Sequence, residues 1–316
     1  MQGHGYDVRV TRDVRYGTGR INVSSEPTDR ALRLDVYEPI GAGAALRPAL
    51  IMAFGGAFHR GSKESDEFDG ASQRNTPVAE YCRAFAARGY AAFSIDYRLI
   101  QEDPDPGETP VIQNRNEIPR SRLDYVRELL GLPPATPEMI WSGIEAACDD
   151  MAAAFRFVTA HADRYLIDVK RVAVGGFSAG ARTALAAAYG EHLPAAAVVS
   201  LSGYMSPADL RHWVTGTPGE PSAFLASGEH DLDYIAAQAV AMHAHFESVG
   251  TLHESWHIAG ASHFYPATST ATRTDGVAAR LDDAISTFLM RSMQGSTERA
   301  GTLAGNLPGA HEPTVP

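Results

Sequence analysis

Short apolar runs alternate along this chain with longer amphipathic stretches. Leu32, Leu34 and Val36 alternate with Arg33, Asp35 and Tyr37, the two-residue period of a half-buried strand. A similar alternation from Val8 and Val10 to Tyr16 predicts an edge strand, and a Gly/Ser/Pro/Asp loop separates the two. Residues 49–54 are continuously apolar, as a strand covered on both faces should be, and 90–96 read as another buried strand. Further strands are expected at 171–175, 196–201, 222–226 and 252–258. Helices are expected at 78–88, where Gly89 closes the run, and at 142–164, 235–249 and 277–293. Strands alternating with helices of this length imply an α/β fold: a mostly parallel sheet of about eight strands, flanked by helices, with right-handed crossovers. The first two strands have no helix between them, so the sheet should open antiparallel. No internal repeat is visible.

The rhythm breaks once. From Leu99 the chain turns rich in proline, glycine and charge, and only 122–130 looks helical. That is too long for an ordinary connection. The expected organisation is a single domain over 1–293, with 99–141 as a cap-like insertion. Residues 294–316, rich in Gly, Pro, Thr and Glu, read as a disordered tail.

The most telling local pattern is Gly176-Phe177-Ser178-Ala179-Gly180, between the apolar Val172-Ala173-Val174 and the alanine-rich run from Ala184 to Ala188. Strand, sharp turn and helix with a serine at the apex make a nucleophile elbow. A serine hydroxyl needs a base, usually a histidine oriented by a carboxylate, and in this arrangement the acid and then the histidine follow the serine along the chain. Such groups sit on loops at the carboxyl ends of parallel strands. After the strand at 222–226 come Glu229, Asp231 and Asp233. Asp231 is the chosen acid: Glu229 lies too near the strand end and Asp233 opens the next helix. Asp209, after the preceding strand, is the remaining rival. After the last strand, Ala259-Gly260-Ala261-Ser262 deliver His263, the one histidine of twelve with this placement.

A tetrahedral intermediate also needs fixed N–H donors for its oxyanion. Phe54-Gly55-Gly56-Ala57-Phe58 follows the third strand, where paired glycines let backbone amides approach a ligand. The Ala179 amide, at the start of a helix, is a further donor.

Composition narrows the partners. With 27 Lys and Arg against 38 Asp and Glu in 316 residues, the net charge is −11. That argues against nucleic acid or an anionic membrane. Cys82 and Cys148 lack C-x-x-C spacing and read as buried free thiols. No signal-peptide pattern and no apolar run of about 18 residues is present, so a cytoplasmic protein is expected. Oligomeric state is not legible.

Several segments resemble the α/β-hydrolase carboxylesterases, in particular the bacterial esterases and the hormone-sensitive-lipase-like branch. These are Leu34-Asp35-Val36-Tyr37-Glu38-Pro39, the Phe54 to Phe58 loop (similar to H-G-G-G-F), Asp96-Tyr97-Arg98-Leu99 and the elbow. The likeness spans roughly residues 10–290, poorest over the insertion. Phe54 stands where that family has His, and Ala57 where it has Gly. The resemblance implies Ser178 as nucleophile, His263 as base, Asp231 as acid, and the amides of Gly56, Ala57 and Ala179 as the oxyanion hole. It calls for no cofactor and no metal.

The expected activity is hydrolysis of carboxylic esters through an acyl-enzyme. The same groups would serve an amidase, peptidase or acyltransferase, and a non-catalytic binding member of the fold is a third reading. Phe58, His59, Phe177 and Phe264 flank the motifs and are candidate substrate contacts, with fold core the competing reading for the phenylalanines. His59, Arg60 and Lys63 could meet a substrate carboxylate, or form a solvated basic loop. The charged insertion argues against a greasy lid, favouring small soluble esters over lipid.

Overall fold

The sheet opens antiparallel, as the missing first helix implies: β1 (Val8–Ile21) pairs with β2 (Thr28–Pro39). The computed structural model describes residues 5–68 and 73–304. β3 (Arg47–Ala53), α1 (Val78–Ala87) and β4 (Ala91–Ile95) follow, with β2 antiparallel to β4 and β4 parallel to β3. After the insertion and its helix α2 (Ser121–Leu129) come α3 (Pro137–Ala160), the short α4 (Ala162–Tyr165), β5 (Ile167–Phe177) and α5 (Ala179–Leu185). The chain continues through β6 (Ala197–Leu201), α6 (Pro207–Trp213), β7 (Ser222–His230), α7 (Asp233–Val249) and β8 (His253–Ser262). It ends in β9 (Thr270–Arg273), β10 (Ala278–Arg280) and α8 (Leu281–Ala304). Among the described residues, ten strands form one sheet in the order β1-β2-β4-β3-β5-β6-β7-β8-β9-β10, flanked by helices.

Ten strands exceed the expected eight because Ala278, Ala279 and Arg280 extend a hairpin instead of starting the last helix. Their alanines favour a helix, but β10 pairs with β9 across a turn through Asp275 and Gly276. Pairing overrides propensity there. Two helical features also escaped the periodicity. α3 starts at Pro137 rather than 142, where Thr136 accepts from Met139 N and proline fits the first turn. α6 is capped by Ser206, which accepts from Asp209 N. At the other end α8 runs to Ala304, past residue 293, since a lone Gly295 does not stop a helix. The rest of the expected tail lies outside the described residues.

The central strands explain the continuous apolar runs: every residue of β4 and β6 is buried. Their register also aligns the strand ends. Ala53 pairs with Gly176, Gly176 with Ser200, Phe177 with Leu201, and Leu201 with Ala226. The loops leaving β3, β5, β6, β7 and β8 therefore emerge side by side at one edge. Cys82 and Cys148 are buried free thiols. Among the described residues no helix is long and apolar enough to cross a membrane.

Candidate active site

The elbow is built on a close approach of backbones. A Cβ on Gly180 would lie 2.0 Å from Ala53 O, and one on Gly176 would lie 2.4 Å from Gly180 C. Only glycine fits at either position, and the chain can then turn sharply enough to hold Ser178 at φ 53°, ψ −113°. A non-glycine residue in that region is strained, and the surrounding packing must hold it there.

Ser178 Oγ lies 2.9 Å from His263 Nε2, and His263 Nδ1 lies 2.6 Å from Asp231 Oδ1. His263 and Asp231 are buried while Ser178 is partly open. The three residues selected from the sequence thus meet, although 85 positions separate Ser178 from His263. The rival carboxylates are occupied elsewhere. Asp209 accepts from Gln113 N and faces Arg182, and Glu229 accepts from Gly260 N.

Asp231 is held on both oxygens. Leu232 N donates to Oδ1. Ser202 Oγ donates to Oδ2 at 2.6 Å and Gly228 N at 3.2 Å. Ser202, itself at φ 51°, also shares a 2.8 Å hydrogen bond with the Tyr265 hydroxyl. Neither was singled out from the sequence. The available signal was position: Ser202 follows β6, the strand between the serine and the acid.

The loop after β3 is anchored without the histidine that the resembling family carries at position 54. Phe54 stacks on Tyr97 with centroids 4.2 Å apart, and Tyr97 donates its hydroxyl to Phe54 O. Gly55 N donates to Asp66 Oδ2 at 2.7 Å, and Val78 N to Asp66 Oδ1 at 2.8 Å. Burial pushes this carboxyl up to about 6, against the pull of the two amides. Gly56, Ala57 and Phe58 all take positive φ, so the loop curls back over the elbow. Among the described residues the N–H groups of Gly56, Ala57 and Ala179 meet no protein acceptor.

Ser178, Ala57 and Ala179 line a solvent-open cleft of about 380 Å³. Phe58 and Ile144 supply apolar wall, and Tyr204 and Tyr234, in edge contact at 5.1 Å, supply more. The insertion contributes Pro119, Arg122 and Leu123, and so forms part of the wall.

Of the four expected substrate contacts, Phe58 alone lines the cleft. His59 is buried: its Nδ1 lies 2.6 Å from Ala57 O and its Nε2 2.9 Å from Arg127 Nη1. Both ring nitrogens are taken, so it braces the loop and does not face substrate. Phe177 is buried against His263 and Tyr265 and backs the relay. Phe264 packs beside the cleft against His263, Phe68 and Phe177. Lys63 is no free cation either, since it is buried in ion pairs with Asp35, Asp13 and Glu64.

Comparison with known proteins agrees with this architecture. The BD-FAE family model matches residues 142–200, the stretch that carries the elbow. No functionally curated protein matches the chain in sequence. Among solved structures, the fold is similar to a thermophilic esterase from the Planctomycetes species Thermogutta terrifontis. The native form has a TM-score of 0.54 and 17% identity, covering 82% of this chain and 83% of that one. The same esterase phosphorylated by paraoxon has a TM-score of 0.54 and 16% identity over 96% of each chain. Its propionate-bound form has a TM-score of 0.52 and 17% identity over 97% of each. At these identities the likeness establishes the fold, and the fold is that of the α/β hydrolases.

Proposed function

We propose that the protein is a serine hydrolase of small soluble carboxylic esters. The observation that carries this reading is the unbroken chain Ser178 Oγ, His263 Nε2, His263 Nδ1, Asp231 Oδ1, with links of 2.9 and 2.6 Å, opening into a cleft lined by the amide-bearing Ala57 and Ala179. The match to the BD-FAE family over the elbow and the likeness to an esterase fold support it.

In this mechanism Ser178 Oγ attacks the ester carbonyl carbon as His263 Nε2 takes its proton. The carbonyl oxygen becomes an oxyanion and is met by the amides of Gly56, Ala57 and Ala179. Asp231, held by Ser202, Gly228 and Leu232, stabilises the imidazolium. The imidazolium protonates the departing alkoxide, the C–O bond breaks, and an acyl-serine remains. A water then gives its proton to His263 and attacks the acyl carbon; as the second tetrahedral species collapses, the acyl C–Oγ bond breaks, the imidazolium protonates Ser178 Oγ, and the acid is released. No metal or cofactor takes part.

The test is turnover of a short activated ester by the wild type and by Ser178→Ala, alongside covalent labelling with a fluorophosphonate probe. The reading requires turnover and labelling in the wild type and loss of both in a folded Ser178→Ala. Turnover surviving in that variant overturns it. A matching amide assayed beside the ester separates esterase from amidase.

A further inference from the structure

The wall supplied by the insertion carries an unpaired cation. Arg122, half-buried near the start of α2, lines the same cleft as Ser178. Its guanidinium carbon lies 5.6 Å from the centre of the Phe264 ring and 5.2 Å from that of Tyr125. Among the described residues no carboxylate or carbonyl pairs with it. A second guanidinium stands behind it. Arg60 lies 4.2 Å over the Phe68 ring, and Phe68 touches Phe264 with centroids 6.0 Å apart. Arg60 Nε is buried with no hydrogen-bond partner. Burial and the nearby Arg122 charge both lower the Arg60 guanidinium from its ordinary value.

Two guanidiniums of like charge lie over adjoining aromatic rings, and one buried donor, Arg60 Nε, is unsatisfied, although the chain has 38 acidic side chains that could have supplied a partner. Other cations of this region are paired: Lys63 with Asp35, and Arg127 with His59 and Pro133 O. Phe264, the ring under Arg122, follows His263 directly and packs against it at 5.0 Å. An anion held by Arg122 would therefore sit within one small molecule's length of the attacked carbonyl.

Resting on the hydrolase reading, we propose that Arg122, reinforced by Arg60, binds a carboxylate of the substrate, so that the preferred substrate is an ester carrying a free carboxylate group. The planar guanidinium fork matches a carboxylate. The apolar surround of Phe58, Leu123 and Ile144 suits a singly charged group better than a doubly charged phosphate, whose desolvation costs more.

The experiment compares half-esters with diesters: monoethyl and diethyl succinate, and monoethyl and diethyl glutarate, with the purified full chain at neutral pH. The readout is the ratio of kcat/KM for half-ester over diester. In the wild type this ratio should exceed one and fall as salt is added. Arg122→Gln should lower it by about tenfold or more, the effect of losing one charge-assisted hydrogen bond. Arg122→Lys should restore part of it, and Arg60→Gln should lower it less. A ratio that Arg122→Gln leaves within twofold of the wild type overturns the carboxylate site alone. No turnover of any of the four esters, with no labelling of Ser178, overturns the hydrolase reading on which it rests.

Discussion

Arg127 Nη1 lies 2.9 Å from His59 Nε2, and through that contact the insertion grips the loop that follows β3. His59 Nδ1, at 2.6 Å, faces the carbonyl of Ala57, whose amide is proposed to meet the oxyanion. An arginine has no acceptor, so Nε2 must accept and Nδ1 must donate: the network fixes one neutral tautomer. Burial, with the Arg127 charge adding to it, lowers the His59 pKa and keeps the ring neutral. The insertion and the loop after β3 are therefore a single unit, and the insertion is no free flap.

Arg127→Met should test that unity. The change leaves His59 Nε2 and Pro133 O without their donor at a buried position. The expected loss of stability is about 1–3 kcal/mol. Because the Ala57 amide loses its brace, kcat for a short neutral ester should fall by about tenfold while KM changes less. Thermal melting and steady-state kinetics on the same preparation read both. A destabilised variant with undiminished kcat would show that the loop keeps its geometry without the insertion.

Ser202→Ala removes the 2.6 Å donor to Asp231 Oδ2 and leaves the buried Tyr265 hydroxyl with only its 3.4 Å hydrogen bond to Ala226 O. Asp231 keeps Gly228 N and Leu232 N, so the carboxylate stays but loses one of its orienting bonds. The expected result is a fall in kcat of about tenfold, well short of the collapse expected for Asp231→Ala. Tyr265→Phe, which leaves the Ser202–Asp231 bond in place, should cost less than Ser202→Ala. If Tyr265→Phe costs more, the tyrosine and not the serine orients the acid.

These two cases mark where the sequence stops informing. Ser178, Asp231 and His263 could be picked out because each follows a strand whose apolar run can be read locally, in the chain order that goes with a nucleophile elbow. The antiparallel opening of the sheet was legible for a similar reason, since β1 and β2 lack a helix between them. The role of His59 was not. Its meaning depends on Arg127, 68 positions away on a helix of the insertion, and no local pattern encodes that contact. From sequence His59 looked like a substrate residue because it follows the glycine loop; burial made it a strut. Ser202 and Arg122 were missed likewise, as their importance comes from what tertiary packing sets beside them. The β9–β10 hairpin was hidden by alanines that favour a helix until pairing decides otherwise.

Gly56→Ala probes the loop from inside. Gly56 has φ 130°, and a Cβ there would lie 2.0 Å from Arg60 O. Both the backbone strain and the clash force the turn from Gly56 to Arg60 to open. Loss of one oxyanion donor costs about 100–1,000-fold in kcat, and displacing this loop should cost at least as much. Melting should drop only modestly, because the loop lies outside the sheet. Near wild-type turnover in a folded Gly56→Ala would remove the loop from the proposed mechanism.

Asp66 gives the clearest pH signature. Burial raises its carboxyl to about 6 in the fold, while in the unfolded chain it titrates near 4. The folded state thus holds more protons than the unfolded state between about pH 4 and 6, and stability from this group declines as pH rises through that window. It is fully present below about 4 and lost above about 6. The shift corresponds to about 2–3 kcal/mol. Asp66→Asn cannot titrate. Its amide offers one acceptor to the two donors Gly55 N and Val78 N, a cost that does not vary with pH. The melting temperature of Asp66→Asn relative to wild type should therefore climb as pH goes from 4 to 7, starting from a deficit. Parallel melting profiles for the two proteins over that range would mean that Asp66 ionises normally in the fold.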